Sequence, residues 1–178
     1  MFYLCTSNVF ASACYNSDDA IIYANKYAKN PNSQYYNYID EGGDCTNFIS
    51  QCLYAGGLGY TETWSPTSDT WRTAILFRYY LMSFDYHYRE YTVGDAIDNW
   101  DIIYFQIHPG DVIQYGTSPY NTTHSQIVTS YSSKDSSVYI AQHSDNMPGF
   151  YNDKNLLNYL HGRSKDDIMY IHQIKKYN

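Results

Sequence analysis

Basic residues are scarce in this chain. Eleven lysines and arginines face 18 aspartates and glutamates, so 178 residues carry a formal net charge of −7. Lys175-Lys176 is too short to form a basic stripe, and nucleic acid is therefore not an expected partner. Long apolar runs are also missing: none reaches the length of about 18 residues that suggests a membrane-spanning helix. Cysteine is confined to Cys5, Cys14, Cys45 and Cys52, without a CxxC pair, and the histidines are scattered. A structural zinc site is not expected, and nothing in the pattern calls for a metal or organic cofactor. Cys45 and Cys52 on one helix would be separated by about 10 Å of axial rise, beyond the roughly 7 Å between Cα atoms that a disulfide tolerates. Cys5 and Cys14 can pair only if the N-terminus folds back. Oligomeric state is not legible.

What the chain has instead is aromatic and apolar. Hydrophobic residues make up 44% of it, and 23 residues are tyrosine. That composition and length suit one domain with a sizeable core. Tyrosine joins an apolar face to a polar tip and suits wet grooves that hold sugars or peptides; equally, it fills core and surface where composition favours it. Residues 1–17 read as a separate N-terminal segment. Its Phe10-Ala11-Ser12-Ala13 reads either as the remnant of an export signal or as an ordinary first segment, since Lys26 is the first basic residue and Thr6-Ser7-Asn8 interrupts the apolar stretch. The remaining domain is 18–178.

Apolar spacing predicts helices over 18–29, 45–55 and 69–82, the first capped by Ser17 or Asp18. Residues 102–105 suit a strand or a short helix. Short strands follow near 112–115, 124–131, 137–143 and 168–174, with a short helix over 155–160. Helices in the first half and antiparallel strands in the second predict an α+β fold.

The run Gly42-Gly43-Asp44-Cys45-Thr46-Asn47-Phe48-Ile49-Ser50-Gln51-Cys52-Leu53-Tyr54-Ala55-Gly56-Gly57 carries the chemistry. A glycine turn delivers Cys45 to the first turn of a helix, where the macrodipole and unpaired N–H groups favour thiolate, the nucleophilic form. A cysteine nucleophile needs a base, and the base needs an orienting group. The strands on either side of the turn at 132–136 bring His124 and His143 to the same end of a hairpin. His124 is the expected base and His143 the expected orienter, with Gln142, Asp145 and Asn146 competing for that place. His87, His108, His161 and His172 read as packing residues.

These residues carry a resemblance. The Asp44–Gly57 run resembles the signature of the putative amidase domain family of Gram-positive bacteria, related to NlpC-type and CHAP-type peptidases of the papain-like superfamily. Asn30-Pro31-Asn32, Tyr35-Tyr36, Trp71, Gly110–Tyr115, His124–Thr129 and Ala141–Ser144 match in order, over about residues 20–174. The resemblance implies a papain-like, NlpC-like fold with N-terminal helices on a C-terminal antiparallel sheet. It implies Cys45 as nucleophile, His124 as base and a polar residue of the next strand, here His143, as orienter. Asp44 would line the substrate site, and Tyr36, Tyr38 and Trp71 would contact substrate. The implied reaction is cysteine-dependent hydrolysis of amide bonds in cell-wall peptides, which places the protein outside the cell or in its envelope. Acyl transfer by the same triad, or an inactive tyrosine-lined module binding glycan or peptide, are the alternatives.

Overall fold

The computed structural model describes residues 15–83, 87–144 and 150–175. Cys5, Cys14, Asp145 and Asn146 lie outside the described residues, as does most of the expected N-terminal segment. The first helix, α1 (Ser17–Tyr27), starts one residue earlier than its spacing suggests, because the Asn16 side chain accepts from the N–H groups of Asp18 and Asp19. Its buried face is Ala20 and Ala24, and this lack of bulk lets α2 (Cys45–Ala55) lie close. The approach is close at the end of α2. A side chain at Gly56 would place its Cβ 2.5 Å from the Tyr15 ring and 2.9 Å from the Asn16 carbonyl.

The helix expected over 69–82 is two helices, α3 (Asp69–Arg72) and α4 (Ala74–Met82), separated by an extended Thr73. The break has a side-chain cause. Ser50 Oγ donates to the Trp71 carbonyl at 2.8 Å and accepts from Trp64 Nε1 at 3.1 Å, while Trp71 Nε1 donates to Asn47 Oδ1 at 2.8 Å. Two buried indoles thereby satisfy their only polar atoms within α2 and its neighbours.

Six strands form one antiparallel sheet in the order β1-β6-β2-β3-β4-β5. They are β1 (Tyr88–Thr92), β2 (Val112–Ser118), β3 (Asn121–Ser132), β4 (Ser137–Gln142), β5 (Tyr151–Asn155) and β6 (Ile168–His172). Between β1 and β2 come α5 (Val93–Asp98) and α6 (Trp100–Ile103), so the helical alternative holds near Ile102; α7 (Leu156–Leu160) follows β5. The edge strands β1 and β5 escape the sequence pattern because Tyr-Arg-Glu-Tyr-Thr and Tyr-Asn-Asp-Lys-Asn lack apolar alternation. β3 begins three residues before His124, which therefore lies inside the strand rather than opening it.

Strand alternation divides the core in two. One face sets Val112, Ile127 and Ala141 against α1, α2 and α4 with Phe48, Leu53 and Phe77. The other sets Ile113, Val128, Ile140, Met169 and Ile171 against α5, α6 and α7. The α+β class holds, and the sheet is covered on both faces rather than by the N-terminal helices alone. Each fully buried Leu or Phe of these layers contributes roughly 1.5–3 kcal/mol. Among the described residues no helix is long and apolar enough to cross a membrane.

Candidate active site

The site forms where β4 ends. Ile127 of β3 opposes Ala141 of β4, and β4 stops at Gln142. Beyond that point the start of α2 takes the place beside β3, with the Asp44 N–H directed at the Ser144 carbonyl (3.5 Å). The half-buried Cys45 is the first residue of α2. Its turn is made by Gly42 and Gly43, whose φ angles of 99° and 109° lie in the left-handed region that favours glycine. Asp44 occupies the N-cap position but its carboxylate makes no capping bond. It accepts instead from the Tyr38 N–H (2.9 Å) and Asn47 Nδ2 (2.7 Å). The first-turn N–H groups of α2 therefore keep their positive end for the thiol.

Cys45 meets His124. Burial pushes the Cys45 thiol up, but the adjacent His124 charge, a hydrogen bond to the His124 ring, the Thr46 hydroxyl and the Ser125 N–H outweigh it, leaving the thiol below its ordinary range. Thr46 Oγ1 lies 3.7 Å from Cys45 Sγ and 3.0 Å from Ser125 Oγ. His124 shifts the opposite way. Burial lowers it and Arg163 opposes its charge, yet Cys45 and the hydrogen bond to Gln142 raise it above the ordinary histidine value. A lowered thiol against a raised imidazole favours the thiolate–imidazolium pair.

The ring is held from behind by glutamines. His124 Nε2 lies 3.0 Å from Gln142 Oε1, which also accepts from Gln126 Nε2; Gln126 Oε1 in turn accepts from Tyr115 Oη at 3.0 Å. Gln126, Gln142 and Tyr115 are all buried. The Tyr115 and Tyr159 rings flank His124, with centroids 6.4 and 6.3 Å away.

The expected contact between His143 and His124 is not made. Strand parity is the reason. With Ile127 opposite Ala141, Gln142 shares the sheet face of His124 and Gln126, and His143 falls on the other face. His143 Nδ1 lies 2.6 Å from Asp44 Oδ2 and its Nε2 lies 3.0 Å from the Tyr27 carbonyl. Its ring is sandwiched between Phe48 and Phe150 at 4.0 Å on each side. Of the competing orienters among the described residues, Gln142 is placed at the His124 ring.

Two expected substrate contacts are likewise corrected. Asp44 is 1% exposed and Trp71 fully buried, so both support α2 from within rather than face substrate. Tyr38 does line the surface beside Cys45. Tyr36 is exposed, packs edge-on against Tyr38 and donates to Glu41.

Cys45 stands between two clefts. The larger, about 460 Å³, is walled by Tyr38, Glu41, Arg72 and Thr122. The smaller, about 270 Å³, is walled by His124, Ser144, Tyr159 and Arg163. A trough of about 550 Å³ lined by Tyr35, Tyr36 and Tyr60 shares Tyr38 with the larger cleft. Sequence reasoning missed Gln126, Tyr115, Tyr159 and Arg163. Tyr115 and Gln126 lie in segments that resemble the family's strands, where the β3 alternation from His124 to Gln126 offered a signal; Tyr159 and Arg163 stand in none.

An α+β fold thus sets a half-buried thiol and a ring-held imidazole in one cleft. Comparison with known proteins gives the family. Residues 14–172 match the model of the putative amidase domain, and the chain belongs to that family. It is 35% identical over 135 residues to the uncharacterized protein YjcM of Bacillus subtilis, covering 74% of this chain and 31% of that protein. It is 33% identical over 111 residues to the uncharacterized protein YhbB of the same organism, covering 57% of this chain and 32% of that one. The chain thus spans about a third of the length of these relatives. No solved structure matches the chain significantly.

Proposed function

We propose that the protein is a cysteine-dependent amide hydrolase working through an acyl-enzyme. The observation that carries this reading is that Cys45 and His124 line one cleft together, with the His124 ring held by Gln142 and opposed shifts on thiol and imidazole. The family supports hydrolysis of an amide. Cys45 Sγ attacks the carbonyl carbon and forms a tetrahedral intermediate, whose oxyanion faces the Cys45 N–H at the start of α2. The His124 imidazolium gives its proton to the leaving nitrogen as the C–N bond breaks. Neutral His124 then takes a proton from water, which attacks the thioester and releases the acid. Gln142, positioned by Gln126, holds the ring so that Nδ1 faces the thiol. His143 serves the scaffold, tying Asp44 and thus the start of α2 to α1.

Peptides of the bacterial cell wall are the substrate class we put first, with action outside the cell, on the strength of the resemblance to NlpC-type and CHAP-type peptidases. The tyrosine trough that continues the larger cleft suits an extended chain with apolar and hydroxyl faces. The test is mass spectrometry of muropeptides and model peptide amides treated with wild type and with Cys45→Ala. New amine ends should appear with wild type and fall by at least about a thousandfold in the variant. Undiminished release by a folded, pure Cys45→Ala protein overturns the nucleophile assignment.

A further inference from the structure

We propose that Arg163 binds a carboxylate on the amine half of the substrate, in the residue that follows the scissile bond. This deepens the amide hydrolase reading and rests on it.

Polarity comes first. Both clefts reach Cys45, but only the smaller is lined by His124. The group that protonates the leaving nitrogen must lie beside it, so the leaving half belongs in the smaller cleft. At about 270 Å³ this cleft falls below the roughly 300 Å³ at which pockets for drug-sized ligands begin. It suits one residue rather than a long chain.

Chemistry comes second. A guanidinium carries five N–H donors in a planar fork. Arg163 Nη1 donates to Tyr159 Oη at 3.1 Å and Nη2 to Asp167 at 2.7 Å. Each Nη therefore keeps a second N–H, and Nε has no partner among the described residues. The fork is already rigid: it lies 4.5 Å over the Tyr115 ring, and Tyr115 is anchored to Gln126. Little side-chain entropy remains to be lost when a ligand binds. No acidic side chain lines this cleft among the described residues, whereas Glu41 stands in the larger one beside Arg72. Asp167 offsets part of the guanidinium charge, so the cleft offers a carboxylate the unused N–H donors of the fork rather than a bare positive charge. A free C-terminal carboxylate and an acidic side chain present the same chemistry to such a fork.

The test uses alkylating probes that place a carboxylate one residue from the reactive carbon. Bromoacetyl-glycine and bromoacetyl-glycinamide differ only in a terminal charge; bromoacetyl-glutamic acid α-amide and bromoacetyl-glutamine α-amide differ only in a side-chain charge. In each case the Cys45 thiolate displaces bromide and forms a thioether, located by peptide mapping. The readout is the charged-to-neutral rate ratio, divided by the same ratio for free cysteine in the same buffer. Wild type should favour at least one charged probe by about tenfold, the worth of a charge-assisted hydrogen bond. Which pair shows it distinguishes the terminal from the side-chain carboxylate. Arg163→Gln should bring the ratio to that of free cysteine, and Arg163→Lys should leave an intermediate value. A wild-type ratio no higher than that of free cysteine for both pairs overturns the inference without any variant having to fold. A ratio that persists in folded Arg163→Gln overturns it as well. Failure of the underlying reading looks different: Cys45 would then react with the neutral probes no faster than free cysteine.

Discussion

His124 and His143 are built from the same parts and put to opposite uses. Each imidazole faces an acid: the Cys45 thiol for His124, the Asp44 carboxylate for His143. Each is framed by aromatic rings. The difference lies in what is left over. His143 has both nitrogens engaged, 1% exposure and two phenyl rings closed over it, so no reacting group can reach it. His124 spends Nε2 on Gln142 and shows its other side to a thiol at the mouth of two clefts. A satisfied pair locks the start of α2 in place. A pair left one partner short can do chemistry there.

Substitutions can break or sharpen that contrast. The largest effect is expected from His124→Ala, which should cut turnover by about a thousandfold or more while the melting temperature moves little. The pH dependence follows from the same pair. Because the Cys45 thiol is lowered and His124 raised, hydrolysis should be fullest between the two titration steps of the pair. It should fall on the acid side as the pair gains a second proton, and on the alkaline side as it loses the one proton it shares. In His124→Ala the alkylation midpoint of Cys45 should rise towards that of a free thiol. An unmoved midpoint would break the comparison.

The sealed pair should answer in stability. Asp44→Ala leaves His143 without its carboxylate in a closed site and should cost about 3–5 kcal/mol in denaturant unfolding. A cost under 1 kcal/mol would show that the pair does not hold the start of α2. Gln142→Ala tests the support of the working pair. Losing the hydrogen bond that supports the charged ring should lower turnover about tenfold, and the equivalent His143→Gln change should instead lower the melting temperature. Reversal of those two outcomes would return His143 to the orienting role.

His172 extends the comparison to a ring whose titration no acid among the described residues supports. Burial, helped by the Arg78 charge, pushes it down to about 3, and its Nε2 has no hydrogen-bond partner among the described residues. The unfolded chain binds this proton near the ordinary value of 6.5 and the folded chain does not, so stability is lost as pH falls between 6.5 and about 3. His172→Gln should flatten that slope, by about 3 kcal/mol at pH 4. An unchanged slope would mean that His172 gains its proton without unfolding the chain.

Much of this was legible before any coordinates. The glycine turn into a helix, the cysteine at its start and the α+β division follow from local rules that act within a few residues. Elements held only by tertiary contact were not. β5 and β1 are polar edge strands that exist because β4 and β6 offer backbone partners. Thr73 breaks a good helical pattern because Ser50 captures the Trp71 carbonyl. Trp71 and Asp44 are expected at the substrate from their place in the family pattern, yet both are interior supports. The family relationship extends over residues 14–172 and carries the expectation of amide chemistry, but it does not distribute roles among side chains.

What the chain alone determined is the nucleophile candidate and its helix, since both rest on neighbours in sequence. Only the tertiary structure decided which residue stands behind His124. Gln142 and His143 are adjacent, and in a strand adjacent side chains point to opposite faces, so the choice hangs on a pairing register that no local pattern encodes. The same holds for Arg163, brought beside Cys45 by a turn after α7 that carries no mark of its destination.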